Sequence, residues 1–294
     1  MSEYFISDLE KYTGIKAHTI RIWEQRYNIL KPKRTLGNTR YYDENDLKRL
    51  LNISSMRKHG LKISEISKMG ELEISRFIDE IIKQNNTGEE LNEYFINELI
   101  VSSLNFDQNK FEKIFSNSLI KFGIEKTYVS ILLPFLNRLG LLWRQATVTP
   151  AQEHFVTELI KMKLMSIIDT ISLDSLGKKT WLLFLPEYEN HEIGLLFSYY
   201  LLRIKKIKVI YLGANVPLES LKESVRLTSA TDLYFFMVSN HDTNELKKYL
   251  KELSESFSKQ SVHFSCKPDL IKGIKLPKNC NCILKPEDLI IEGD

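Results

Sequence analysis

Hydrophobic and polar positions recur along this chain with different spacings, and the changes of spacing divide it. Near the start, apolar side chains come in short helical sets over residues 6 to 13 and 17 to 26, separated at Gly14, where a positive φ is sterically cheap. On the second set Ile20 and Trp23 share a face, while His18, Arg21 and Gln25 fall on others. Gly37-Asn38 marks a tight turn before Thr39-Arg40-Tyr41-Tyr42. Asp43 to Asp46 offers a helix start, and Leu47, Leu50, Leu51 and Ile53 to Met56 give that helix an apolar face ending near Gly60. A further helix is expected from about Ile63.

Residues 73 to 174 carry the helical period almost throughout, in segments of roughly 74 to 84, 89 to 104, 108 to 122, 125 to 145 and 150 to 172. Asn85 to Gly88, Asn105-Phe106-Asp107 and Gly123 break them, and four are long enough for a compact bundle. From Lys178 the pattern becomes short continuous apolar runs: Thr180 to Leu185, Val209 to Leu212, Leu233 to Val238, Val262 to Phe264 and Cys282 to Leu284. Helical stretches at 191 to 205, 217 to 229 and 243 to 257 separate most of them, as in a parallel sheet buried on both faces. The expected fold is therefore multidomain. An all-α winged helix-turn-helix over 1 to 72 precedes a helical bundle over 73 to 175, and an α/β Rossmann-like (flavodoxin-like) parallel sheet follows over 178 to 294.

Charge sharpens the division. The net charge is +3, yet residues 1 to 75 hold 14 Lys and Arg against 10 Asp and Glu, so affinity for a polyanion belongs to the N-terminal quarter. No run of apolar residues is long enough to span a bilayer and the start lacks signal-peptide character, so a cytoplasmic protein without a membrane partner is expected. Cys266, Cys280 and Cys282 are too few and too late in the chain for a disulfide framework; they read as core or free thiols.

Two short helices around a tight turn, followed by a basic hairpin carrying Lys31, Lys33, Arg34 and Arg40, form a helix-turn-helix with a wing. Ser7 to Gly14, Thr19 to Glu24, Arg40-Tyr41-Tyr42 and Asp46 to Leu50 together resemble the MerR family of winged-helix transcription regulators. That resemblance implies a double-stranded DNA operator, a homodimer or tetramer, and RNA polymerase as a further partner. His18, Thr19 and Arg21 are the expected base or groove contacts, and Lys33, Arg34, Arg40 and Tyr41 the backbone contacts.

In open sheets ligands bind beyond the carboxyl ends of the strands, near the point where strand order reverses. The loop after the first strand holds Glu189-x-His191-x-x-Gly194, where an imidazole at a helix start can ligate a metal through one nitrogen while a carboxylate holds the other. Gly194 would let the helix pack close. This resembles the cobalamin-binding motif Asp-x-His-x-x-Gly with glutamate for aspartate, and implies His191 as lower axial ligand to cobalt, oriented by Glu189. Thr149, Pro150 and Gln152 start a helix with a capping box, placing Glu153-His154 in its first turn. Trp143 precedes that pair by nine intervening residues, a spacing similar to that of CarH/LitR-type light-responsive regulators. By that resemblance adenosylcobalamin is the cofactor, Trp143 and Glu153 cover its upper face, and His154 reaches cobalt after light breaks the carbon-cobalt bond.

The family also carries Ser-x-Leu or Ser-x-Thr after the third strand and Gly-Gly after the fourth. Here Ser239 is retained, but the chain reads Ser265-Cys266 after the fourth strand and contains no Gly-Gly. Side chains at those two positions are expected to intrude on the groove for the nucleotide tail. Two effector readings stay open: a cobalamin sensor that controls oligomerisation, and a vestigial domain that serves oligomerisation or another ligand. A corrinoid-carrying module of a methyltransferase system is the alternative of another class, and no reading makes the chain an enzyme.

Overall fold

The computed structural model describes residues 4–35, 37–58, 60–70, 73–74, 76–77, 88–144, 148–172, 179–238, 243–285 and 288–289. Ser239 and most of the helix expected over 74 to 84 lie outside them. Two compact units divide the chain, Met1–Val156 and Thr157–Asp294.

In the first unit α1 (Ile6–Thr13) ends at Gly14, whose φ of 71° turns the chain into α2 (Ala17–Tyr27). Ile20 and Trp23 are buried, fixing which face of α2 turns inward. The wing follows as β1 (Lys33–Arg34) paired antiparallel with β2 (Arg40–Tyr41), Lys33 opposite Tyr41 and Arg34 opposite Arg40. Asn38 takes the positive φ this turn requires. Reciprocal backbone bonds between Tyr4 and Tyr42, at 2.9 and 2.8 Å, tie the entering chain to the wing's exit. Then α3 (Glu44–Lys58) buries Leu47, Leu50, Leu51, Ile53 and Met56, and α4 (Ile63–Ile66) follows.

In the bundle, α5 (Glu89–Leu104) is buried at every position from Phe95 to Leu104, Glu98 included, which pairs with Lys110 at 3.0 Å. Helix α6 (Gln108–Thr127) is capped by Asp107, which accepts from the Lys110 amide. Gly123 breaks its regularity with a φ of 73°. The helix expected over 125 to 145 resumes after Gly123 and contains a π-turn at Tyr128–Leu132, beyond which it continues as α7 (Leu133–Arg144). Such a turn inserts one residue without interrupting the apolar run, so sequence periodicity does not register it. Next comes α8 (Pro150–Asp169), three residues shorter than expected, its last turn closed by bonds from Thr170 and Ile171.

The second unit contains a five-stranded parallel sheet in the order β4-β3-β5-β6-β7. The strands are β3 (Thr180–Pro186), β4 (Lys208–Val216), β5 (Asp232–Met237), β6 (Ser261–Cys266) and β7 (Cys280–Cys282). All seven residues of β3 are buried, which explains its unbroken apolar run. Leu182, Phe184, Leu233, Phe235, Val262 and Phe264 face one layer, where α10 (Leu218–Thr228) contributes Leu221 and α11 (Thr243–Ser256) Leu246 and Leu250. Tyr234 and Phe236 face the other layer, meeting α9 (Glu192–Ile204) at Ser198 and Gly194. The last strand lies two residues earlier than expected: Cys280 pairs with Val262 and is buried, whereas Leu284 is half-exposed. Among the described residues no helix is long and apolar enough to cross a membrane.

Candidate effector site and nucleic-acid interface

On α2 the inward anchors leave His18 and Arg21 exposed and Thr19 half-buried, so this helix presents donors outward from a fixed base. Its start is held across the turn by Glu10, which accepts from the Ala17 amide at 3.0 Å and pairs with Lys16 at 3.0 Å. That backbone bond, then the Lys16 partner, hold the Glu10 carboxyl below its usual range. On the wing Lys33 and Arg34 are exposed and Arg40 and Tyr41 half-buried. Lys33 meets Asp43 at 3.1 Å, and Arg34 reaches Asn38. Glu24 accepts from the Tyr42 hydroxyl and lies 3.9 Å from Arg40 Nε, which links recognition helix and wing. The cationic side chains thus stand on a braced surface of the kind that tracks phosphates.

Sequence reasoning missed Arg138. It reaches from α7 to Glu93 at 2.7 Å and Asn97 at 3.1 Å on α5, and donates to the Tyr12 carbonyl in the last turn of α1 at 2.7 Å. One side chain so joins the helix-turn-helix to the bundle. No local pattern marks it, because its partners lie 41 to 126 residues away.

The effector loop leaves the carboxyl end of β3, the strand flanked by β4 on one side and β5 on the other. This is where strand order reverses. Glu189 is 0% exposed there. Its Oε1 accepts from the amides of Asn190 at 2.9 Å and His191 at 3.0 Å, and its Oε2 from the amide of Val238, just past β5, at 2.8 Å. His191 Nδ1 lies 2.6 Å from Oε1, while its side chain is 57% exposed. Two amides already donate to Oε1, so a proton on Nδ1 satisfies this contact and fixes the ring's orientation. Asn215, at the end of β4, steadies the loop by accepting from the Tyr188 amide at 2.8 Å and bonding Asn190. A Cβ on Gly194 would meet the Phe236 ring at 2.8 Å, so the close helix-sheet contact needs glycine there.

The structure brings Glu189, His191 and Gly194 together. Trp143 is half-exposed at the end of α7. In the first turn of α8, Glu153 is partly exposed and His154 largely so, with Thr149 and Gln152 forming the expected capping box. Those three belong to the first unit. The two positions expected to crowd a tail groove face opposite ways. Ser265 shares the α9 side of the sheet with Tyr234, whereas Cys266 packs toward the α10 and α11 layer. Ser265 Oγ donates to the Ile283 carbonyl at 2.6 Å and lies 2.8 Å from the Tyr234 hydroxyl, which Ser198 also reaches at 3.3 Å. Burial pushes the Tyr234 phenol up to about 12, so this chain of hydroxyls stays neutral.

Two segments of the chain match known families. Residues 4–72 match the family described as MerR HTH family regulatory protein, and residues 92–167 match the B12 binding domain family. HTH-type transcriptional repressor CarH of Myxococcus xanthus is 27% identical over 225 residues, covering 76% of this chain and 74% of that one. HTH-type transcriptional repressor CarA of the same organism is 27% identical over 219 residues, covering 74% and 70%. Among solved structures, the Methanosarcina barkeri monomethylamine corrinoid protein overlays with a TM-score of 0.53 at 14% identity, covering 68% of this chain and 97% of that one. That likeness concerns the fold of the bundle and the α/β sheet. The chain is a DNA-binding transcription regulator of the MerR helix-turn-helix type with a B12-binding-type domain. Within that class it is homologous to the CarH and CarA repressors.

Proposed function

We propose that this regulator binds a cobalamin at the Glu189–His191 loop and that ligand state controls its assembly on an operator. The organisation proposed is a DNA-binding region over 1 to 72, a bundle over 73 to 175 and a sheet domain over 178 to 294, in a cytoplasmic homo-oligomer. The observation that carries the proposal is an exposed imidazole oriented by a fully buried carboxylate at the point where strand order reverses. The donor set fits the group. Among the described residues no three His, Cys, Asp or Glu side chains gather to hold a bare ion. A single imidazole donor would suit a metal whose remaining positions are filled by its own macrocycle. When bound, the cofactor would supply a cobalt centre and, as adenosylcobalamin, a light-labile carbon-cobalt bond.

His191 would bind through Nε2, and Glu189 would fix the ring and its tautomer. Trp143 and Glu153 would shield the upper face, His154 would be the second imidazole, and Ser239 would lie by the tail. On DNA, His18, Thr19 and Arg21 would read the groove, and Lys33, Arg34, Arg40 and Tyr41 would hold the backbone. Control requires different ligand affinity in two assemblies; equal affinity would change nothing at the operator.

One observation favours the vestigial reading: the hydroxyl chain Ser198–Tyr234–Ser265–Ile283 ties helix to sheet where the family's glycines would leave room. A corrinoid-carrying methyltransferase module fits less well, because it has no use for a winged helix-turn-helix. Dark titration with adenosylcobalamin, then size-exclusion chromatography before and after green illumination, tests the proposal. Co-elution with a change of oligomer on illumination is expected. Absence of co-elution at micromolar protein would leave a regulator whose effector domain has another use.

A further inference from the structure

The geometry points to a second small-molecule site in the α/β unit, for a compact apolar molecule carrying a carboxylate. It stands apart from the His191 loop and does not depend on cobalamin. A pocket of 550 Å³ opens where the end of α8 crosses α9 and the edge strand β4. Its walls are largely apolar, with Met165, Ile168 and Leu196 facing the stacked rings of Tyr199 and Tyr211, whose centroids are 5.5 Å apart at 18°.

Set into this wall is Arg203, only 7% exposed. Its guanidinium lies 5.6 Å from the Tyr199 ring centre, donates to the Tyr199 hydroxyl at 3.2 Å and to the Ile171 carbonyl, and has no partner at Nε. Among the described residues no carboxylate lies within ion-pair distance of it. Glu192, which bonds the pocket's Tyr211, is already engaged: Oε1 accepts from the Tyr211 hydroxyl at 3.2 Å and Oε2 holds Lys161 at 2.6 Å.

A cation removed from water without a counter-ion is expensive, and two neutral acceptors satisfy only part of a five-donor group. An anion entering the pocket would supply what the fold withholds. Planar geometry favours a carboxylate, which guanidinium matches bidentately. The aromatic pair and the aliphatic side chains favour an apolar body over a sugar or a bare ion. Asp169 on the same wall disfavours ligands with more than one negative charge.

Saturation-transfer NMR on the full-length protein tests this with 4-phenylbutyrate and its neutral amide as probes. Transfer to 4-phenylbutyrate is expected, with the amide about tenfold weaker, the scale of one charge-assisted hydrogen bond. Arg203→Gln should reduce the carboxylate to the level of the amide. Met165→Trp, introduced on the exposed side of α8 at the pocket mouth, should weaken both probes together. His191→Ala should change neither. Equal affinity for the two probes, no transfer to either at millimolar concentration, or an effect of His191→Ala matching that of Met165→Trp would overturn the assignment. Should Arg203→Gln fail to fold, the probe pair and the Met165 variant still decide.

Discussion

Glu189 and His191 stand two residues apart and do opposite work, which separates their mutational effects. Glu189 is buried and accepts from three backbone amides belonging to its own loop and to the end of β5. Glu189→Ala would strand those donors, so a loss of at least about 2 kcal/mol in urea unfolding is expected. His191→Ala removes a largely exposed ring and should stay within about 0.5 kcal/mol of wild type. Equal losses would mean that the imidazole, not the carboxylate, organises the loop. The spacing Glu189-x-His191-x-x-Gly194 was legible because all its members lie on one turn of chain. Val238, Asn215 and Phe236, which complete the site, were not, since only the sheet brings them there. Ser265 and Cys266 show the same limit. Both are expected from the sequence to crowd one groove, yet alternation along β6 sends them to opposite faces of the sheet.

At the scale of elements, α2 and the wing depend on groups outside themselves. Glu10 caps α2 from the preceding helix, and its carboxyl is held below the usual range first by the Ala17 amide. A carboxyl depressed on folding contributes stability fully above its unfolded value of 4.5 and loses it as pH falls through the lower folded value. Wild type should therefore exceed Glu10→Gln in urea midpoint at about pH 6, and the two should converge toward about pH 3. A gap that persists in acid would assign the effect to geometry rather than charge. On the wing, Arg40→Ala should weaken DNA binding on all sequences alike and lower the salt slope of binding by about one. A loss confined to one operator would instead make Arg40 a base reader. Most elements here were legible: the Gly14 turn, the Gly37-Asn38 hairpin and the continuous run of β3 each leave a mark in local order. What local order does not carry is a π-turn inside an apolar run at Tyr128–Leu132, or a strand such as β7 whose anchor is a lone buried thiol.

For the whole molecule, the separation of charge from ligand chemistry governs what each perturbation can reach. The basic excess and the presented donors belong to the N-terminal quarter, while His191 lies in the second unit. A ligand at His191 adds no phosphate contact of its own, so it acts on DNA only by changing how many copies bind or which arrangement they adopt. To turn an assembly from about one part in a hundred to nearly complete, a ligand must prefer one form by about 10⁴-fold; tight binding without that preference shifts nothing. Binding isotherms on operator DNA are the decisive readout, measured with full-length protein in the dark, with and without adenosylcobalamin, and again after green light. In wild type the cofactor should shift the DNA midpoint by about tenfold or more and raise cooperativity, and light should reverse both. His191→Ala should keep the apo isotherm and its salt dependence unchanged while losing the cofactor-dependent shift. A shift that survives in His191→Ala would move the cobalt ligand elsewhere in the chain; altered apo binding would show that the loop shapes the DNA-bound assembly even without cofactor.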